Sequence, residues 1–288
     1  MARKLYDSEV TVNGVKLHVV QAGPRSGKPV LLLHGWPEFW YGWRHQIEHL
    51  ADLGYRVTAP DQRGYNTSDK PSAVTAYSLN ILQEDVLALI NHLGHRRIHL
   101  VGHDWGGSVA WYFASNYPER LRSLTIMNAP HHAEFLKSVG GNPRQALRVW
   151  HLLAFQLPVL PEQLLKRSNY QSLTRRLRKS MLAGSLTDAD AVKYLEAWSQ
   201  PGAMKASLKW YKAMLRSPPA KTRHRKIKIP TQIIWGNNDN ILPPNIAQDA
   251  LRQCPLGELK VVRDAGHFPH ADQPAIVNQH LERFLASF

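Results

Sequence analysis

The stretch that most constrains this chain runs from Arg97-Ile98-His99-Leu100-Val101 through Gly102-His103-Asp104-Trp105-Gly106 into the helix-compatible run from Gly107 to Ala114. An apolar strand, a tight turn between glycines and a helix form an elbow that presents one residue at its apex. The glycines let the backbone turn sharply and let the helix pack close to the strand. The apex residue is Asp104 rather than Ser. A carboxylate nucleophile attacks carbon and leaves an alkyl ester. That chemistry suits epoxides or alkyl halides better than esters.

Two further elements follow in the chain order nucleophile, acid, base. Ile233-Ile234-Trp235-Gly236 reads as a buried strand and Asn237-Asn238-Asp239 as the loop after it, making Asp239 the candidate orienting acid. Leu259-Lys260-Val261-Val262 reads as a short strand leading to Asp264-Ala265-Gly266-His267, which makes His267 the candidate base. Each residue sits just past the carboxyl end of an expected strand, where open α/β sheets build their sites. An acid after Leu124-Thr125-Ile126-Met127 would be an alternative, but Asn128 stands there.

The wider pattern predicts an α/β fold. Residues 8–22 alternate around Asn13-Gly14, a hairpin signal. Short apolar strands are expected at 29–33, 56–59, 97–101, 122–127, 229–235 and 258–262, with helical patterns between them, such as 78–93 and 275–285. Strand–helix alternation implies a mostly parallel sheet covered on both faces, here eight-stranded. The alternation stops near 133 and resumes near 228, so residues 134–221 read as a helical insertion between 1–133 and 222–288. Within it, Thr187-Asp188-Ala189-Asp190 has a capping-box layout.

Composition narrows the class. Cys254 is the only cysteine, so no intramolecular disulfide can form, and no run is long and apolar enough for a membrane span. No secretory layout is visible, and a cytoplasmic protein is expected. The net charge is +14, but residues 134–221 hold 15 of the Lys and Arg against 5 Asp and Glu. That distribution reads as a basic face on the insertion, not a nucleic-acid site. The histidines lack metal-ligand spacing, and neither a metal nor an organic cofactor is expected.

The motifs His34-Gly35-Trp36-Pro37-Glu38, Asp61-Gln62-Arg63-Gly64-Tyr65, His103-Asp104-Trp105-Gly106-Gly107 and Gly266-His267-Phe268 together resemble the α/β-hydrolase-fold epoxide hydrolases, a group shared with haloalkane dehalogenases. The resemblance covers nearly the whole chain. It implies that the insertion after the sixth strand is a helical cap. It also implies an oxyanion hole from the backbone N–H groups of Trp36 and Trp105. Met204, Leu208, Tyr211 and Leu215 fall on one helix face, and Lys209-Trp210-Tyr211 resembles the family segment whose tyrosine activates the oxirane oxygen. The family's other cap tyrosine corresponds to His151, aligned on Phe155-Gln156, which gives a His/Tyr pair of donors. Phe39, Trp40, Trp105 and Phe155 are expected to line the substrate pocket.

The resulting expectation is hydrolysis of a small-molecule epoxide to a vicinal diol by a monomer or homodimer. A haloalkane or haloacetate dehalogenase shares Asp104 and His267 and would hold the halide with indole N–H groups. A ligand receptor using the basic cap, and an ester hydrolase, are further alternatives. His34 and His103 read as structural residues beside the oxyanion loop and behind the elbow.

Overall fold

The computed structural model describes residues 5–131 and 151–288 except 219 and 225, and the side chain of His151 also lies outside that description. The strands are β1 (Tyr6–Val12), β2 (Val15–Ala22), β3 (Pro29–Leu33), β4 (Arg56–Pro60), β5 (Ile98–His103), β6 (Leu121–Met127), β7 (Thr231–Gly236) and β8 (Gly257–Val262). They form one eight-stranded sheet in the order β1-β2-β4-β3-β5-β6-β7-β8. β2 is antiparallel to both of its neighbours, β1 and β4, and every later pair is parallel. At the first hairpin, Val12 faces Val15, and Asn13 and Gly14 both have positive φ (46° and 73°). A two-residue turn matched to strand twist requires that geometry.

The helices, in chain order, are α1 (Arg44–Asp52), α2 (Leu79–His92), α3 (Asp104–Asn116), α4 (His151–Ala154), α5 (Leu160–Ser180), α6 (Asp188–Trp198), α7 (Ala203–Arg216), α8 (Asn245–Leu251), α9 (Pro269–Asp272) and α10 (Pro274–Ala286). Period-two alternation splits the strand side chains between two cores. Leu31, Leu33 and Leu100 join one cluster with Leu82, Val86, Val109, Phe113 and Ile246 from α2, α3 and α8. Val30, Leu32 and Val101 join the other with Ile47, Leu50, Val277 and Leu281 from α1 and α10. The central strands are therefore buried on both faces, which is why they read as continuous apolar runs.

Between β6 and β7 the described residues contain helices α4 to α7 and no strand. α5 is broken at Arg167–Tyr170, where Ser168, Asn169 and Tyr170 take φ of 51°, 52° and 59°. α6 starts with a complete capping box: the Thr187 hydroxyl accepts from Asp190 N at 3.1 Å, and Asp190 Oδ2 accepts from Thr187 N at 3.0 Å. The same Asp190 accepts from Tyr41 Oη at 2.9 Å and lies 3.3 Å from Arg44 Nε, so the cap of α6 also ties the insertion to the sheet domain. On α7, Met204, Leu208 and Tyr211 are buried, whereas Leu215, expected on the same face, is 49% exposed. It lies in the last turn, beyond the region where α7 is covered.

The elbow depends on close backbone approach. A Cβ on Gly106 would lie 2.2 Å from the Leu33 carbonyl oxygen and 2.5 Å from that of His34. Gly106→Ala is expected to lower stability by about 1–3 kcal/mol through overpacking. An unchanged urea midpoint and slope would contradict this close packing.

Candidate active site

Asp104 opens α3 directly after β5 with φ 48°, a left-handed conformation uncommon outside glycine. The turn aims its carboxylate off the end of the sheet. Trp36 N, from the loop after β3, donates to Asp104 Oδ2 at 2.9 Å. His267 Nε2, from the loop after β8, stands 3.6 Å from Asp104 Oδ1. The other ring nitrogen, Nδ1, is 2.8 Å from Asp239 Oδ2, in the loop after β7. Asp239 is fixed in turn, accepting from Asn128 Nδ2 at 2.7 Å and from the N–H groups of Ile241 and Leu242 at 2.8 and 2.9 Å. Asn128 occupies the alternative acid position and serves Asp239 instead.

The charges in this row sustain one another. Burial disfavours an ionised Asp104, but the nearby His267, helped by His103 and the Trp36 N–H, holds the carboxyl below its usual range. Asp239 is likewise held low against its burial, chiefly by His267. Burial would neutralise His267, yet Asp239 and Asp104 together raise it to about 10. The ground state is therefore carboxylate, imidazolium, carboxylate.

A cavity of about 310 Å³ lies over Asp104 and His267, with Trp36, Phe155, Leu173, Leu177, Tyr211 and Phe268 among its walls. Tyr211 reaches it from α7, packed edge-on against Trp105, Phe155 and Trp36 with ring centroids 5.1, 4.9 and 5.6 Å away. Burial and the Asp104 charge push its hydroxyl well above the usual range, only partly opposed by a hydrogen bond with Trp105. Indole nitrogen only donates, so the phenol oxygen is the acceptor in that bond.

Of the pocket residues expected from sequence, Phe155 lines the cavity, while Phe39, Trp40 and Trp105 do not. Phe39 is buried against Tyr194 and Tyr41 on the far side of the loop, 5.4 and 5.9 Å between centroids. Trp40 packs against Phe39 and Tyr41, and its backbone N–H donates to Asp61 Oδ1 at 2.8 Å. Trp105 sits behind Tyr211 and Trp210. His151 is the first described residue of α4, and its side chain, the expected second donor, lies outside the described residues. Leu173, Leu177 and Ile241 complete the apolar wall; helical spacing alone did not tell which face of α5 meets the cavity.

The sequence pattern of the α/β hydrolase fold matches residues 28–274. This chain belongs to the α/β hydrolase family. The AB hydrolase superfamily protein YfhM of Bacillus subtilis is 41% identical over 96% of each chain. Epoxide hydrolase 4 of Mus musculus is 35% identical over 95% of this chain and 77% of its own length. A solved mutant of an epoxide hydrolase from Bacillus megaterium, complexed with a naphthyloxy-propane-1,2-diol product, superposes with a TM-score of 0.88 at 31% identity, over 97% of this chain and all of that one.

Two buried networks of this hydrolase were not legible as such. Glu38 accepts from His103 Nδ1 at 2.8 Å, His270 Nε2 at 3.0 Å and Tyr194 Oη at 3.3 Å, all fully buried behind the elbow. Burial opposes charge on Glu38, but the two imidazoles hold its carboxyl well below the usual range. His103 Nε2 also donates to the His267 carbonyl at 2.8 Å, linking the nucleophile and base loops from behind. These atoms are close enough to chelate a metal ion, but Glu38 is already engaged by both imidazoles. His34 is a neutral structural residue: burial lowers it, its Nε2 accepts from Gln62 N at 3.1 Å, and its Nδ1 donates to the Gly35 carbonyl at 2.9 Å.

The second network fastens the base loop to the inserted helices. Asp272 is 6% exposed and accepts from Gly266 N and from Leu182 N, both at 2.7 Å. Asp272→Asn has one acceptor oxygen for two donors and turns an amide N–H₂ toward the other. The loss should be about 1–3 kcal/mol of stability, measured by denaturant unfolding. A change below the error of that measurement would contradict the clamp.

Proposed function

We propose that this hydrolase converts an epoxide and water to a vicinal diol through a covalent ester at Asp104. The observation that carries the choice of leaving group is the engagement of both nearby indoles. Trp36 Nε1 donates to Ser207 Oγ at 3.3 Å, and Trp105 to the Tyr211 hydroxyl. Neither is left to hold a halide, whereas Tyr211 offers a proton beside Asp104. That favours an oxirane oxygen over a chloride or bromide. In this reading residues 134–221 form a cap over the core of 1–133 and 222–288, and exclude water from the nucleophile.

In the first step the Asp104 carboxylate attacks a ring carbon, the C–O bond breaks, and Tyr211 gives its proton to the departing oxygen. The phenolate regains a proton, with His267 as the net source. Alkylation also removes the Asp104 charge, one of the causes that raise His267. The imidazole therefore becomes less basic at the point where it must be neutral. In the second step His267, oriented by Asp239, takes a proton from water as the oxygen attacks the ester carbon. The N–H groups of Trp36 and Trp105 stabilise the oxyanion. Collapse releases the diol and restores the carboxylate–imidazolium pair, so atoms and protons balance over the cycle.

His267→Gln should still be alkylated by a terminal aryl epoxide but should turn over about 10²–10⁴-fold more slowly. Intact-protein mass spectrometry should then show an adduct of one substrate mass. Diol at the unsubstituted rate with no adduct contradicts the assigned base. Tyr211→Phe should slow adduct formation on the order of 10²-fold, read by stopped-flow fluorescence. Unchanged alkylation would move Tyr211 from proton donor to pocket wall.

A further inference from the structure

The basic insertion also concentrates exposed apolar side chains. Leu153, Leu157, Val159, Leu160 and Leu164 fall within residues 153–164 and are 49–70% exposed. Leu215, 49% exposed, joins them from the last turn of α7. Gln156 Nε2 donates to the Tyr211 carbonyl and Arg216 to the Gln156 carbonyl, both at 2.8 Å, so the stretch between α4 and α5 lies on the end of α7. Scattered exposed apolar residues are ordinary, but a cluster marks a surface that docks. A basic stripe runs beside it. Lys205, Lys209, Lys212 and Arg216 recur at spacings of four, three and four, which is one face of α7. Burial, Arg216 and Lys205 together lower Lys212, so the cations act on one another. Each acid of the insertion among the described residues is already paired: Glu162 with Lys166, Asp188 with Arg178, Asp190 with Arg44 and Glu196 with Lys193. Neither Lys205 nor Lys212 has an ion-pair partner among the described residues.

We propose that this face of the insertion docks on an anionic lipid bilayer, with the aliphatic side chains entering the outer acyl region and Lys205, Lys212 and Arg216 against the headgroup phosphates. Aliphatic anchors beside a row of cations are the layout of a segment that lies in a membrane interface without crossing it. A second copy of this chain could cover the apolar part, but residues 134–221 hold 15 Lys and Arg against 5 Asp and Glu, and two such surfaces repel. A nucleic acid would meet the charge, but unpaired bases are held by stacking on aromatic rings, and the six patch side chains are all aliphatic. An anionic bilayer matches both parts of the face. Docking does not depend on the reaction at Asp104, yet it has a consequence for access. Phe155, in the same stretch as the anchors, lines the cavity, so the bound protein would hold its cavity wall close to the phase in which apolar molecules dissolve.

The test is flotation of the whole protein with vesicles of phosphatidylcholine alone and of phosphatidylcholine mixed three to one with phosphatidylglycerol. Binding to the anionic vesicles should exceed binding to the neutral ones by about tenfold or more and should weaken with salt. Lys205→Gln/Lys212→Gln/Arg216→Gln should reduce it on the order of 10²-fold, since each cation near an anionic surface contributes about fivefold. Arg25→Gln/Arg96→Gln/Arg263→Gln removes the same charge from exposed positions of the sheet domain and should change it far less. Leu157→Gln/Leu160→Gln/Leu164→Gln should lose most of the binding at unchanged charge, with circular dichroism reporting that each variant is folded. Cys254 is buried, so Leu160→Cys can carry a polarity-sensitive dye, whose emission should shift to the blue on the anionic vesicles. Full binding by the leucine variant, equal losses for the two sets of charge substitutions, or unshifted emission from bound protein overturns the docking surface. A dimer that the leucine substitutions dissociate, with no vesicle binding, overturns it in favour of a second copy. Binding of a single-stranded oligonucleotide through the stripe, with no vesicle binding, overturns it in favour of nucleic acid.

Discussion

A buried carboxylate held at positive φ is the constraint on which the rest of this structure depends. A buried charge is costly unless it is paired and hydrogen-bonded, and a non-glycine residue at φ 48° adds backbone strain. The surroundings compensate for both. α3 is pressed so close to the end of β3 that only glycine fits at position 106, and the loop after β3 supplies the Trp36 N–H. The imidazolium of His267 provides the balancing charge and is itself held by Asp239. These pieces come from the carboxyl ends of β3, β5, β7 and β8, so parallel sheet order is what brings them together.

In the proposed cycle, the same electrostatics give the two chemical steps a logical order. His267 is raised by Asp239 and Asp104 together while the nucleophile is charged. Consuming the Asp104 charge in an ester removes part of that support and frees the ring to act as a base. In that cycle one side chain serves the carboxylate before attack and the water after it, without moving between elements. The buried Glu38–His103–His270 group and the Asp272 clamp keep the two loops in register with each other and with the inserted helices.

Local signals made much of this legible. The elbow, the hairpin at Asn13-Gly14 and the capping box at Thr187 are each set by backbone rules that act over a few residues, and each is found where the sequence put it. Asp104, His267 and Asp239 could be located because each follows an apolar strand. Direction around a loop was not legible. Phe39 and Trp40 are aromatic residues close in sequence to the oxyanion loop, but the chain turns them into the core behind it. Trp105 follows the nucleophile and still faces Tyr211 instead of the cavity. Glu38, His103, His270 and Asp272 carried no periodic signal, because their meaning lies in contacts between segments far apart in sequence, such as Glu38 with His103 and His270. The broken α5, with its cavity-facing basic residues, was readable as charge but not as geometry.

The central claim is that oxygen reaches the product through Asp104. A single turnover in H₂¹⁸O, with protein in excess over a terminal epoxide, tests it most directly. The account predicts unlabelled diol and one ¹⁸O in the Asp104 carboxylate, found by mass spectrometry of the peptide that contains it. Label in the diol with none in Asp104 would mean that water attacks the epoxide directly, and would contradict the covalent ester.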